Sequence, residues 1–178
     1  MELFEEHGVE AVAVDQIVAA AGVSTSTFHR FCATKEDAAT CHLETAAEDL
    51  AGAVERRSGT TLLRAVRDAA QETLDAVEAP ALDLRRTIAV CLQHPPLTAR
   101  WLLVGRAGQQ RLAELVGGAP TGPGTQRAEV LAAAVMGAVL TASEHWALDG
   151  GSLADHLDRC FAVLEPLDEP FPPRPRQT

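Results

Sequence analysis

Residues 14–31 read VDQIVAAAGVSTSTFHRF, and this stretch decides the fold of the N-terminal part. Val14, Ile17, Val18 and Ala21 fall at i, i+3, i+4 and i+7, the spacing of one apolar face of a short helix. Gly22 stands directly after it, where a helix favours a residue tolerant of the left-handed conformation. Ser24 is placed to cap a second short helix. That helix carries Phe28 and Phe31 on one side and Thr25, Ser26 and His29 on the other. The spacing predicts a helix-turn-helix, with both phenylalanines packed inward against Ile17, Val18 and Val23. Short polar side chains facing outward suit close approach to phosphates and base edges, and in this motif the second helix enters the major groove.

Working outward, residues 1–7 read as the end of a helix stopped by Gly8. Lys35-Glu36-Asp37 opens a long helix to about Arg57, and further helices are expected near 60–78, from Pro80 to Pro95-Pro96, over 97–116, over 125–148 and over 152–164. Residues 117–124 (GGAPTGPG) read as a flexible loop, and the Pro-rich stretch from 166 as an extended or disordered tail. Alternation of period two is lacking, so the fold class is all-α, with about nine helices.

The chain has 178 residues, 47% hydrophobic and 22% charged, enough for a packed core. Its formal net charge of −10 excludes nucleic-acid binding by bulk positive charge. The segment from Gln16 to Lys35 has no acidic residue and carries Arg30 and Lys35. Lys35 begins a helix, so its amine and the free N–H groups there are placed to hold one phosphate. Residues 1–37 as a whole carry two basic and seven acidic side chains, a net of −5. Phosphate contacts supply most non-specific DNA affinity, so this is a deficit. The four cysteines (Cys32, Cys41, Cys91, Cys160) form no C-x-x-C pair, which fits a reduced, cytoplasmic protein without disulfide or zinc scaffold. No secretory leader is expected. The uncharged run 130–142 (VLAAAVMGAVLTA) is too short to span a bilayer, so no membrane association is expected.

The run LFEEHGVEAVAVDQIVAAAGVSTSTFHRFCATKEDA resembles the DNA-binding signature of the tetracycline-repressor (TetR) family. The match lies in LF-x-E-x-G, VD-x-I-x-x-x-AGVS, TF-x-R and K-E-D. The resemblance implies a helix-turn-helix domain over 1–37, a ligand-binding and dimerisation domain over 38–165, and the Pro-rich tail over 166–178. It implies Thr25 and Ser26 facing bases, with Thr27, His29 and Lys35 at the DNA backbone; Arg30 is a further DNA-binding candidate by its charge. The family usually has Tyr where His29 stands and often Thr at the positions of Val12 and Ala13, and Phe31-Cys32-Ala33 replaces a common His-Phe-Pro. Members also begin well before the position of Met1, with an Arg-bearing arm, so the start reads as truncated. The pieces HPPLTAR (94–100) and EHWALDGG (144–151) resemble a C-terminal pattern of some TetR-type regulators, those of mycofactocin systems among them.

By the same resemblance, helices over 60–116 would form an effector pocket with Cys91, His94, Arg100, Trp101 and Gln109. Trp101 and Cys91 are equally residues that a core takes. With 4% aromatics and no Tyr, an aromatic cage for a cation is disfavoured, and an aliphatic cavity for a small apolar or acyl-type effector is the better expectation. The last two helices are expected to pair with those of a second copy in a four-helix bundle, through Val135, Val139, Trp146, Leu153, Leu157 and Phe161. No catalytic motif, cofactor fingerprint or metal-ligand spacing occurs, so an enzyme is not expected. The expected function is a ligand-responsive, homodimeric DNA-binding regulator acting on double-stranded operator DNA. The alternative is a ligand-binding or interaction dimer that has lost DNA binding.

Overall fold

A computed structural model describes residues 1–57, 59–76, 84–117 and 125–167. Among them the chain forms nine α-helices: α1 (Glu2–His7), α2 (Val14–Ala21), α3 (Thr25–Phe31), α4 (Lys35–Glu55), α5 (Leu62–Ala76), α6 (Leu84–Gln93), α7 (Pro95–Gly117), α8 (Thr125–Asp149) and α9 (Leu153–Ala162). A 3₁₀ turn over Glu165–Leu167 follows. The helix start expected at Pro80, the loop beyond Gly117 and the tail from 168 lie outside the described residues.

Local chemistry sets the boundaries of the short helices. Gly22 sits at φ +66° and ψ +29°, and the Val23 N–H returns to the Val18 carbonyl at 3.0 Å, closing α2 as a Schellman turn. The Ser24 hydroxyl accepts the Thr27 N–H at 3.1 Å and starts α3. Ala13, which has no side-chain oxygen, leaves α2 half-capped: Gln16 Oε1 accepts the Ala13 N–H at 2.8 Å and nothing is returned. Thr34 and Asp37 form a full reciprocal box at the start of α4, at 3.1 and 2.9 Å.

Two apolar cores hold the helices. One joins the C-terminal end of α4 with α5, α8 and α9 around Val54, Val66, Val135, Leu157 and Phe161. The other runs without a break from Phe4, Val9 and Val12 through Leu43 into Ile88, Leu97 and Trp101. α1 and the segment that follows it therefore share their core with α6 and α7. Two ion-paired clamps reinforce that seam. Arg86 of α6 holds Glu5 of α1, with Glu2 at 3.7 Å, and Arg100 of α7 holds Asp37 of α4, with Glu44 at 3.5 Å.

α7 and α8, the two longest helices among the described residues, lie close. A Cβ on Gly105 would stand 2.7 Å from Leu140 Cδ1, and one on Gly108 2.7 Å from Met136 Cε. α8 is long and apolar enough by composition to cross a membrane, more than the run 130–142 indicated. One face of it packs on α6, α7 and α9.

Candidate nucleic-acid interface and effector cavity

α3 turns Thr25, Ser26, His29 and Arg30 to solvent and buries Phe28. The outward polar face therefore exists as the sequence predicts. Thr27 is half-buried, its hydroxyl 2.9 Å from that of Ser24, so it serves the cap. The His29 ring meets Phe28 edge-on at 5.3 Å, which orients the imidazole outward.

Three expectations for this segment are corrected. Phe31 does not pack inward: it is 75% exposed, and the Arg30 guanidinium lies over its ring at 4.8 Å. It is the last residue of a helix of seven residues. Val23, in the turn itself, is also exposed. Lys35 is not free for a phosphate: its Nζ donates to the carbonyls of Glu10 and Val12 at 3.2 and 2.9 Å, fastening the loop before α2 to α4.

A cavity of about 100 Å³ lies in the body, lined by α4 to α9. Its walls are Leu43, Ala47 and Leu50 of α4, Leu84 and Ile88 of α6, Trp101 and Val104 of α7, Val139 and Leu140 of α8, and Leu153 and Leu157 of α9, with Ser143 the one hydroxyl. Of the five residues expected at an effector pocket, only Trp101 lines it. Cys91 is sealed in the core, where burial pushes its thiol up to about 11. His94 faces Gly8 at the seam with α1. Arg100 is held by Asp37, and Gln109 lies half-buried along α7 away from the cavity. The contribution of α4 went unread, although Leu43, Ala46, Ala47 and Leu50 stand at i, i+3, i+4 and i+7 on it.

The surface expected to meet a second copy is also corrected. Val135, Leu157 and Phe161 are buried within the single protomer and have no area left for a partner. Leu153 and Val139 face the cavity, and Trp146 packs between the two cores. The exposed side of α8 shows Val130, Ala133, Gly137 and Thr141 instead, with Val163 78% exposed just after α9.

Residues 1–37 match the model of the tetR family of bacterial regulatory proteins, and residues 60–168 match the MftR C-terminal domain. The chain belongs to the TetR family. Over 169 residues it is 31% identical to the mycofactocin biosynthesis transcriptional regulator named MftR from Mycobacterium tuberculosis, covering 92% of this chain and 84% of that protein. This TetR-family member is a transcriptional regulator homologous to MftR, in a family whose members are typically ligand-responsive repressors. Its C-terminal domain holds both segments singled out in the sequence, and each has a structural task. In HPPLTAR, the Thr98 hydroxyl donates to the Cys91 carbonyl at 2.6 Å, fixing the corner between α6 and α7, and Arg100 reaches α4. In EHWALDGG, Gly150 and Gly151 both take φ +80°, turning the chain from α8 into α9. Arg85 donates to the Trp146 carbonyl at 3.0 Å, and His156 Nε2 donates to the Gly150 carbonyl at 2.8 Å.

Proposed function

We propose that this TetR-family regulator acts as a cytoplasmic homodimer that sets two α3 helices into successive major grooves of operator DNA and is released by a small apolar or acyl-type effector. The observation that carries the reading is the outward hydroxyl face of α3, Thr25 and Ser26, raised on buried Phe28 behind the Gly22 turn. Grooves on one side of a duplex recur at about 34–36 Å, so two copies are needed. The domains follow the same division: 1–37 for DNA, 38–165 for ligand and dimer. Thr25 and Ser26 read bases, and His29 and Arg30 approach the backbone.

The effector acts through α6. Leu84 and Ile88 wall the cavity, while Arg85 and Arg86 on the same helix hold the end of α8 and the start of α1. A ligand that displaces Leu84 or Ile88 therefore moves groups tied to both ends. It shifts the dimer only by its differential affinity for the two arrangements.

An electrophoretic shift on the chain's own upstream DNA tests the reading. A discrete complex at low salt, weakened by Thr25→Ala with Ser26→Ala, supports it. No complex at any salt would refute it. The second reading, a ligand-responsive dimer without DNA binding, is favoured by the engaged Lys35 amine and the net charge of −5 over residues 1–37.

A further inference from the structure

The cavity has an outer companion. A groove of about 630 Å³ runs between α4 and α7, with Glu44, Glu48 and Arg111 among its lining and Leu103 exposed along it. The groove and the cavity share two lining residues, Ala47 and Val104. The apolar space and the partly polar one thus meet at one alanine and one valine side chain. Small residues on both helices, Ala51 and Gly52 facing Ala107 and Gly108, keep the groove open beyond that wall.

From this geometry we infer a two-part effector site that takes an uncharged amphiphile, its hydrocarbon arm passing the Ala47–Val104 wall into the cavity and its polar head remaining in the groove. The inference rests on the proposed reading of the cavity as the effector site. Size argues for two parts. The cavity alone is smaller than the ~150 Å³ apolar voids that stay dry and admit benzene, and far below the roughly 300–1,000 Å³ of small-molecule sites. Adding the groove brings it into that range. Polarity sets the direction, because the cavity offers one hydroxyl, Ser143, against apolar walls and cannot take a charge.

The charge pattern sets the head. Arg111 is held by Glu55 at 3.1 Å and Glu114 at 3.2 Å, and Glu44 lies 3.5 Å from Arg100. An anionic head would find the groove's arginine already engaged and would face Glu48 as well. A hydroxyl or amide head keeps water on its exposed side and loses little.

Calorimetric titration of the full chain with 1-octanol, octanoate at pH 8, octyltrimethylammonium and benzene tests this. Octanol is expected to bind saturably, with octanoate weaker by about tenfold or more. Val104→Phe, thickening the wall, should weaken octanol by a similar factor. Ala47→Phe makes the same test from the α4 side, should the first variant not fold. Octanoate or octyltrimethylammonium binding as tightly as octanol would overturn the uncharged head. Octanol binding equally to the wild type and to a folded wall variant would overturn the two-part site while leaving the effector cavity standing. Failure of every probe, benzene included, would remove the cavity reading and this inference together.

Discussion

Arg86 of α6 and Glu5 of α1 are joined by a two-pronged ion pair, Nε to Oε1 at 2.5 Å, across 81 positions of sequence. The arginine holds the Glu5 carboxyl below the usual carboxylate range, chiefly by that hydrogen bond. Both side chains are about one-third exposed, so the pair's worth lies in where it holds α1 more than in stability. Arg86→Ala should change unfolding free energy by no more than about 1 kcal/mol. It should also blunt the release of DNA by effector while effector affinity stays near wild type. Retained, full-sized release in a DNA-retention assay would contradict the coupling role of α6.

Leu157 offers a sharper stability test. Only 1% exposed, it lies in the core between α5, α8 and α9. Leu157→Arg buries an unpaired charge, and a loss of about 3–5 kcal/mol is expected in chemical denaturation, with the single protomer affected. Val130→Arg, at an exposed α8 position, should leave protomer stability nearly unchanged and lower the sedimentation mass of the dimer. Equal masses for Val130→Arg and wild type would place the interface elsewhere.

Thr25→Ala with Ser26→Ala removes two exposed hydroxyls without touching Phe28 or the Ser24 cap. Operator preference over random DNA should fall by roughly tenfold or more, as expected when base-edge contacts worth about 1–3 kcal/mol are lost. Non-specific affinity and its salt slope should hold, because no charge changes. Unaltered preference would remove the base-reading role.

His42 gives the pH dependence. Its Nε2 is buried without a hydrogen-bond partner, and burial, with the Met1 amine second, lowers its pKa below the ordinary 6.5. The unfolded chain then takes up the proton first as pH falls through 6.5, so stability drops on acidification and recovers on return to neutral pH. His42→Leu removes both the orphaned nitrogen and the titration. Its melting temperature should lie above wild type at pH 5.5, and its pH profile between 7 and 5.5 should be flatter. An equal slope in both proteins would assign the acid sensitivity to other groups.

Thiol chemistry should separate the cysteines. Cys41 is exposed, whereas Cys91 is sealed and its thiol is pushed up to about 11 by burial. At pH 8 a maleimide should modify Cys41 rapidly and Cys91 only at the rate of unfolding. Early labelling of Cys91, read by peptide mass, would mean that the second core opens far more readily than its packing implies.

Local features were the legible ones. Gly22, Ser24, Phe28 and the polar face of α3 are set by interactions within a few residues, and the order of helices followed from apolar spacing. Features set by distant partners were not. Phe31 shares its apparent face with Phe28, but the helix ends before any neighbour covers it. Lys35 looked free because its acceptors, the carbonyls of Glu10 and Val12, lie 25 and 23 positions away and have no side-chain signature. Arg100 sat in the expected pocket region, yet its partner Asp37 lies 63 positions upstream and turns it aside. Leu157 and Phe161 form a clean apolar stripe, but periodicity does not tell an intrachain neighbour from a second copy.

The narrow seam at Gly105 and Gly108 leaves α7 and α8 separated by hydrogen atoms where any other residue would place carbon. The inner space is consequently adjustable one methyl at a time: an alanine at 105, in its own wall, would press on Leu140, and one at 108, in the outer groove, would press on Met136. The shape of that space can thus drift between related chains through substitutions that alter not a single charge.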